Sequence, residues 1–112
     1  MKLHRVNATY VAFHCPGCGC AHRVPVSGSV GPVWAWNGSM GAPTFTPSIR
    51  VGGVEPTTDD EVERIMRGEK ILPRPRCCHT FVIDGKINFL ADCTHPLAGR
   101  TVEIPDWNGE VL

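Results

Sequence analysis

Short stretches of alternating hydrophobic and polar residues dominate this 112-residue chain, and turn residues separate them. Alternation with a period of two is typical of β-strands that bury one face. The pattern predicts strands over residues 8–14, 23–26, 33–36, 49–51 and 101–104. The chain contains 12 glycines and 10 prolines, which favours many turns and short strands over long helices.

A β-hairpin is predicted over residues 77–95, where two alternating stretches flank Asp84 and Gly85. A type I′ turn requires positive φ at both central residues, and an Asp-Gly pair adopts that conformation readily. A two-residue turn also fixes the register of the two strands. The expected opposed pairs are Ile83 with Lys86, Phe81 with Asn88, His79 with Leu90, Cys78 with Ala91, and Cys77 with Asp92.

This register divides the chemically active residues between the two faces of the hairpin. Side chains alternate faces along each strand, so Cys78 and Cys93 fall on one face as diagonal neighbours. His79 and Asp92 fall on the opposite face. A bulge near residues 77–79 would change this division.

One helix is predicted, beginning after Thr58. Thr58 and Glu61 have the spacing of a capping box, and Gly68 provides the stop. The helix is expected to act as a lid or brace through an apolar stripe formed by Val62, Ile65 and Met66. Together the elements predict a mainly β (α+β) fold, a single domain over residues 1–112 with a small antiparallel sheet.

Charge and composition exclude several functional classes. The 11 basic and 11 acidic residues give zero net charge, so we expect no nucleic-acid partner. No apolar run approaches the roughly 20 residues of a membrane span, and residues 1–5 lack the apolar segment of a signal peptide. We therefore expect a cytoplasmic protein without a membrane partner. In that reducing compartment, six cysteines are metal ligands or catalytic groups more often than disulfides.

Cys15 and Cys18 form a Cys-Pro-Gly-Cys motif with the spacing of a zinc knuckle. Proline and glycine bend the backbone tightly, so that both thiolates face one ion. A redox Cys-x-x-Cys is the alternative, but that motif prefers a strand-to-helix context, and here a strand is predicted to follow. Cys20 and His22 either compete for a ligand position or are a buried thiol and a surface imidazole.

A structural zinc site usually has four cysteine or histidine ligands. The hairpin register offers Cys78 and Cys93 as the pair that completes the site with Cys15 and Cys18, and the expected cofactor is Zn²⁺. Alternatives for these positions are Cys77, His79 and His95. The plainer explanation is that Cys78 and Cys93 are buried thiols, since cysteine is among the most buried residue types.

The opposite face of the hairpin suggests proton chemistry. A carboxylate such as Asp92 beside His79 fixes the tautomer of the imidazole and raises its basicity, which supplies the base of a nucleophilic triad. The nucleophile would be Ser48, or Cys77 if that residue binds no metal, and His95 is a second candidate base. The alternatives are a zinc-bound or core His79 and a Ser48 in an ordinary turn.

Trp34 and Trp36 lie on one face of a short predicted strand. They either supply core burial, as large aromatic residues do in small domains, or line a groove for an extended ligand.

Several longer motifs of the chain resemble those of a known family. They are Cys-Pro-Gly-Cys at 15–18, Trp-Asn-Gly at 36–38, Pro-Thr-Phe-Thr-Pro-Ser-Ile at 43–49, Cys-His-Thr-Phe-Val-Ile-Asp-Gly at 78–85, and Phe-Leu-Ala-Asp-Cys-Thr-His-Pro-Leu-Ala-Gly at 89–99. The family consists of small tailed-phage and prophage proteins that often carry the label ammonia monooxygenase. More distant relatives are similar to proteins encoded beside bacterial ubiquitin-like conjugation genes, which look like peptidases that act on the ubiquitin-like protein.

The resemblance implies a zinc-containing fold in the cytoplasm of a bacterial host, with Ser48 and His79 at the positions that match the active site. It also implies a protein or peptide substrate of ubiquitin-like type. The monooxygenase label finds no support, since that reaction uses copper or iron in a membrane protein and this sequence contains no apolar span.

These observations lead to two main functional hypotheses. In the first, the chain is a phage-encoded zinc-containing hydrolase, a peptidase or isopeptidase that uses Ser48, His79 and Asp92. In the second, it is a non-catalytic zinc-stabilised module that binds a host protein. A third hypothesis makes the zinc itself catalytic, with three protein ligands and a water.

Overall fold

The chain forms two antiparallel sheets in the computed structural model, which describes residues 1–28 and 31–107. The strands of the first sheet are β1 (Leu3–Arg5), β2 (Tyr10–Cys15) and β3 (Cys20–Pro25). They lie in the order β1-β2-β3. Cys15 pairs with Cys20, so the Cys-Pro-Gly-Cys motif connects two paired strands, as the knuckle prediction requires.

The second sheet has five strands that follow one another in chain order. They are β4 (Ala35–Trp36), β5 (Phe45–Val54), β6 (Pro75–Ile83), β7 (Lys86–Phe89) and β8 (Thr101–Glu103). The helix α1 (Asp59–Met66) lies between β5 and β6 in the chain. The predicted mainly β fold with one short helix is therefore confirmed, and it contains two sheets where the sequence suggested one. No helix in residues 1–28 and 31–107 is long and apolar enough to cross a membrane.

The predicted β-hairpin forms with the expected turn and register. Asp84 and Gly85 have φ of 50° and 75°, and the ladder pairs Ile83 with Lys86 and Phe81 with Asn88. The ladder ends at Phe89 because the chain then turns. The pairs expected beyond that point, Cys78 with Ala91 and Cys77 with Asp92, are therefore absent from the ladder. The backbone of Cys77 bonds Thr94 instead.

The second sheet has a bulge in β5. The bulge considered above for residues 77–79 of β6 is not present, since these residues pair in regular register with β5. Phe45 pairs with Val82 and Ile49 pairs with Thr80, so residues 46–48 of β5 lie opposite a single residue of β6. Proline lacks a backbone N–H and is confined to bulges or edges within sheets, which suits Pro47 at this point. Ser48 is the last residue of this bulge.

The two sheets share one hydrophobic core. Phe13 of β2 and Phe45 of β5 are almost fully buried, and their ring centroids lie 6.5 Å apart. Burying an aromatic side chain of this size contributes about 1.5–3 kcal/mol, so these contacts hold the sheets together. Trp34 and Trp36 pack against this core while staying partly exposed, which favours the core explanation for the tryptophan pair.

The helix α1 begins as the sequence predicts but packs differently. Thr58 and Glu61 form the full capping box, and Glu61 also forms a 2.7 Å ion pair with Arg74. No residue of α1 is buried, and the side chains of Val62, Ile65 and Met66 are between 41% and 83% exposed. The apolar stripe therefore lies on the surface and does not brace the core.

We expect Gly85→Ala to destabilise the fold more than Gly38→Ala. Both glycines have positive φ, 75° and 80°, so each substitution costs about 1–2 kcal/mol for a left-handed L-residue. A Cβ on Gly85 would also lie 3.2 Å from Ala42 Cα, whereas Gly38 has nothing within 4 Å. Urea unfolding should show about 1–3 kcal/mol of additional loss for Gly85→Ala. Equal losses for the two variants would contradict the close packing of this turn.

Candidate active site and metal centre

Three side chains form a continuous hydrogen-bonded series on the surface of the second sheet. Ser48 Oγ lies 3.1 Å from His79 Nε2, and His79 Nδ1 lies 3.1 Å from Asp92 Oδ2. These are the three residues for which the sequence suggested nucleophile, base and orienting carboxylate. The structure thus brings them together in the order that nucleophilic catalysis requires.

The positions of these side chains follow from the local backbone. Ser48 leaves the β5 bulge, and its carbonyl oxygen accepts a 3.2 Å hydrogen bond from Trp34 Nε1. His79 lies on β6, where its backbone N–H donates to Cys93 Sγ at 3.2 Å. The Cys93 thiol donates in turn to the His79 carbonyl oxygen, also at 3.2 Å. The Leu90 N–H also donates to this carbonyl oxygen at 2.9 Å, so Cys93 supplies the acceptor for the His79 N–H beyond the end of β7.

The hydrogen bonds determine the proton positions on His79. An ionised carboxylate only accepts hydrogen bonds, so the contact with Asp92 assigns a proton to His79 Nδ1, which donates to Asp92 Oδ2. His79 Nε2 is then free to accept the hydroxyl proton of Ser48. The Asp92 side chain is 54% exposed and that of His79 is 26% exposed, so the pair adds little to stability and acts mainly to orient the ring.

A second cluster combines three thiols with one imidazole. Ligand atoms of Cys15, Cys18, His22 and Cys78 all lie within 4.8 Å of one another. Cys15 ends β2, Cys18 lies in the knuckle, His22 lies on β3, and Cys78 comes from β6 of the other sheet. The cluster therefore joins the two sheets by side chains that can hold a metal ion.

Short distances between the thiols shift their pKa values in opposite directions. Cys15 Sγ lies 3.9 Å from Cys78 Sγ, and this hydrogen bond lowers the pKa of Cys15 to about 3 and raises that of Cys78. Burial raises the pKa of Cys18. One thiolate is thus stabilised by a neighbouring thiol, and further deprotonation requires a positive charge in the cluster.

The donor set fits a metal ion of the zinc type. Three sulfurs and one imidazole are a common ligand set of structural zinc sites. His22 is 6% exposed, and its Nε2 is buried without a hydrogen-bond partner among the described residues. A buried unpartnered nitrogen is costly, and coordination to a metal would remove that cost.

The observed cluster contains three of the four ligands expected from the sequence. Cys15, Cys18 and Cys78 lie together, and the fourth member of their group is His22. Cys93 belongs to a second group with Cys78 and His95, and its thiol bonds the backbone of His79. The sequence signal for His22 was its position four residues after Cys18, on the strand that leaves the knuckle.

His95, considered above as a ligand or base, packs over the knuckle. Its ring covers Gly17 so closely that a Cβ there would collide with it. The ring also meets Phe89 edge-on, with centroids 4.6 Å apart, and its Nδ1 accepts a 3.2 Å hydrogen bond from the Leu97 N–H. His95 therefore fixes the segment that carries Asp92 and Cys93 against the Cys15–Cys18 knuckle.

Gly17→Ala is expected to lower the free energy of unfolding by about 1–3 kcal/mol through overpacking against His95. The same substitution in a His95→Ala background should cost clearly less, because the ring that the new methyl group meets is gone. Urea denaturation of the four proteins in a double-mutant cycle, at one fixed zinc concentration, measures this coupling. Additive losses would contradict the contact.

Comparison with known proteins addresses the resemblance described above. A family model described as "Bacterial ubiquitination-like system serine protease (BubE)" matches residues 2–90. This range includes Ser48, His79 and all four residues of the thiol–imidazole cluster, and it ends two residues before Asp92. No curated protein and no solved structure matches the chain. The family match confirms the expected relationship to peptidases of ubiquitin-like systems, and the chain belongs to the BubE family.

Proposed function

We propose that this protein is a serine protease that cleaves a peptide or isopeptide bond. The observation that carries the proposal is the hydrogen-bonded series from Ser48 Oγ through His79 to Asp92. The serine protease description of the family supports the same reaction class.

The geometry supports a double-displacement mechanism. His79 Nε2 takes the proton of Ser48 as Ser48 Oγ attacks the carbonyl carbon of the substrate. Asp92 stabilises the resulting imidazolium without accepting its proton. His79 then donates this proton to the leaving amine, the C–N bond breaks, and an acyl ester remains on Ser48. His79 then deprotonates a water molecule, which attacks the ester carbonyl carbon; the bond to Ser48 Oγ breaks, His79 returns the proton to Ser48 Oγ, and the carboxylic acid product leaves.

We further propose that Cys15, Cys18, His22 and Cys78 hold a structural Zn²⁺. Three cysteines and one histidine would supply the four protein ligands that structural zinc sites use. Bound zinc would supply positive charge that allows several thiolates to lie together. Cys78 is adjacent to His79 on β6, so fixing Cys78 also restricts the backbone that carries the base.

The proposed substrate is a ubiquitin-like protein or a peptide from one, in the cytoplasm of a bacterial host. The family description refers to a serine protease of a bacterial ubiquitination-like system, which supports a substrate from such a system. Phage origin would make the enzyme a factor that acts on a host conjugation system.

A second candidate function is a non-catalytic module that binds a host protein. The observation that favours it is the exposed apolar surface beside α1, where Met66 is 83% exposed and Leu72 is 84% exposed. Exposed apolar side chains of this size often mark interaction sites. The two functions differ in the reactivity of Ser48, which separates them in the following experiment.

Ser48→Ala and His79→Gln should each lower the rate of proteolysis by about 10³- to 10⁶-fold, because nucleophile and base act as one unit. Asp92→Asn should lower it by about 10²- to 10⁴-fold, since it removes only the orienting carboxylate. Cleavage of dephosphorylated β-casein measures the rate. Ser27→Ala, at an exposed serine in another loop, is the matched control and should retain full activity.

A fluorophosphonate probe tests the nucleophile independently of substrate choice. It should label the wild type and Ser27→Ala, and it should fail to label Ser48→Ala. Absence of labelling in the wild type, together with a pull-down that depends on Met66 and Leu72, would favour the binding module.

The metal proposal predicts about one zinc ion per chain in the purified protein. His22→Ala should lose most of this zinc and lower the melting temperature. Cys93→Ser should keep it, because the Cys93 thiol bonds the His79 backbone and lies outside the four-residue cluster. Cys20→Ser, at an exposed thiol, is the control. Zinc loss in Cys93→Ser with retention in His22→Ala would show that the ligand set predicted from the register is the correct one.

A further inference from the structure

Strand β5 has an open edge that starts at the proposed nucleophile. On one side β5 pairs with β6 from Ile49 to Val54. On the other side β4 pairs only with Phe45 and Thr46. Among residues 1–28 and 31–107, no strand pairs with β5 on that side from Ser48 onward.

The alternation of an antiparallel ladder shows which backbone groups of β5 point to the open side. The Glu55 N–H donates to Arg74 O at 2.9 Å, so Glu55, Gly53 and Val51 direct their backbone groups toward β6. The intervening residues Arg50 and Gly52 direct theirs outward.

The partners of these two residues on β6 give the same assignment. His79 lies opposite Arg50, and its backbone bonds Cys93 and Leu90 on the far side of β6. Cys77 lies opposite Gly52, and its backbone bonds Thr94 on that same far side. Arg50 and His79 therefore share no backbone hydrogen bonds, and neither do Gly52 and Cys77. The N–H and C=O groups of Arg50 and Gly52 point away from β6, toward the open side of β5.

Ser48 is continuous with this edge. Its carbonyl oxygen accepts the indole N–H of Trp34, a residue that immediately precedes β4. The indole therefore covers the edge just before β4 begins, and the uncovered part lies beyond Ser48. A chain that pairs with Arg50 and Gly52 and continues along β5 would next reach Ser48, whose hydroxyl bonds His79 on the face of the sheet.

A small cavity lies beside this edge, between residues of β3 and β5. Its volume is about 90 Å³, and its lining includes Trp34, Ile49, Arg23 and Arg50. Neither arginine forms an ion pair with another described residue, and the Arg23 guanidinium lies 4.8 Å from the Tyr10 ring centroid. A liquid water molecule occupies about 30 Å³, so the cavity has room for a small side chain, and the two arginines among its lining residues favour a carboxylate.

We propose that the substrate is an extended, acidic peptide segment that binds as an added strand on the open edge of β5. Backbone hydrogen bonds to Arg50 and Gly52 hold the segment, and a carboxylate side chain enters the cavity between Arg23 and Arg50. This inference rests on the proposed protease function. Such an edge would favour unfolded tails or linkers over folded surface loops as substrates, because only an extended chain pairs along a strand edge.

Amide hydrogen exchange measured by NMR tests the binding mode without any need for catalysis. The Ser48→Ala protein is mixed with dephosphorylated β-casein, an acidic unfolded chain. We expect slower exchange at the amides of Arg50 and Gly52, while those of Val51 and Gly53 are already protected by β6. Saturating casein that leaves Arg50 and Gly52 unprotected would overturn the proposal. Protection without cleavage by the wild type would support this edge as a binding site and contradict the protease function instead.

A pair of substitutions at one position tests the backbone contact. In the Ser48→Ala background, Gly52→Pro removes the outward N–H, whereas Gly52→Ala keeps it. We expect Gly52→Pro to raise the Kd for casein about three- to ten-fold, as expected for one net hydrogen bond, and Gly52→Ala to leave it unchanged. Circular dichroism and the β6 amide exchange pattern verify that both variants fold. Equal affinities in two folded variants would overturn the proposal.

The charge preference has a separate readout. Arg50→Gln should weaken casein binding and reduce its dependence on salt concentration, since one cationic partner is lost. If the salt dependence of binding is unchanged in Arg50→Gln, the proposed contact between Arg50 and an acidic side chain is wrong.

Discussion

The alternation of side chains along β6 is the constraint on which both sites depend. Cys78 points into the thiol–imidazole cluster and His79 points to the opposite face, where Ser48 and Asp92 lie. Because these residues are adjacent, any displacement of the Cys78 backbone moves the proposed base by a similar amount. The Cys93 thiol holds His79 from the other side of the strand through its N–H and carbonyl oxygen. The sulfur atoms of Cys78 and Cys93 thus determine the position of the proposed base, and neither takes part in the proposed proton transfer.

The same strand explains why a chain of this size would benefit from a metal. Small domains bury a limited apolar surface, and conformational entropy offsets most of the stabilisation from that burial. Here three cluster residues belong to the first sheet and its knuckle, whereas Cys78 belongs to the second sheet. A bound ion would therefore connect the sheets in the folded state alone, and its binding free energy would add to the stability of their packing.

Local sequence signals predicted the structure well where the decisive interactions are local. The Asp84-Gly85 turn determined the hairpin register, and Thr58 with Glu61 determined the start of α1. The bulge at residues 46–48 depends on pairing with β6, a distant segment, so alternation in the sequence did not reveal it. The place of Cys93 was inferred by extending the register past Phe89, where the chain turns. The pairing of β2 with β3 brings His22 into the cluster. Sequence spacing alone left open whether His22 is a ligand.

The exposure of the triad bears on how such a site would act. Asp92 is half exposed and His79 is a quarter exposed, so bulk water reaches the groups that must transfer a proton. Electrostatic stabilisation of a charged intermediate is stronger where water is excluded. A strand added to the open edge of β5 would cover Ser48 and supply part of that exclusion. An unpaired edge is otherwise a liability, because it invites pairing between copies of the chain. An edge that begins at the proposed nucleophile and carries Arg50 fits its proposed use by substrate.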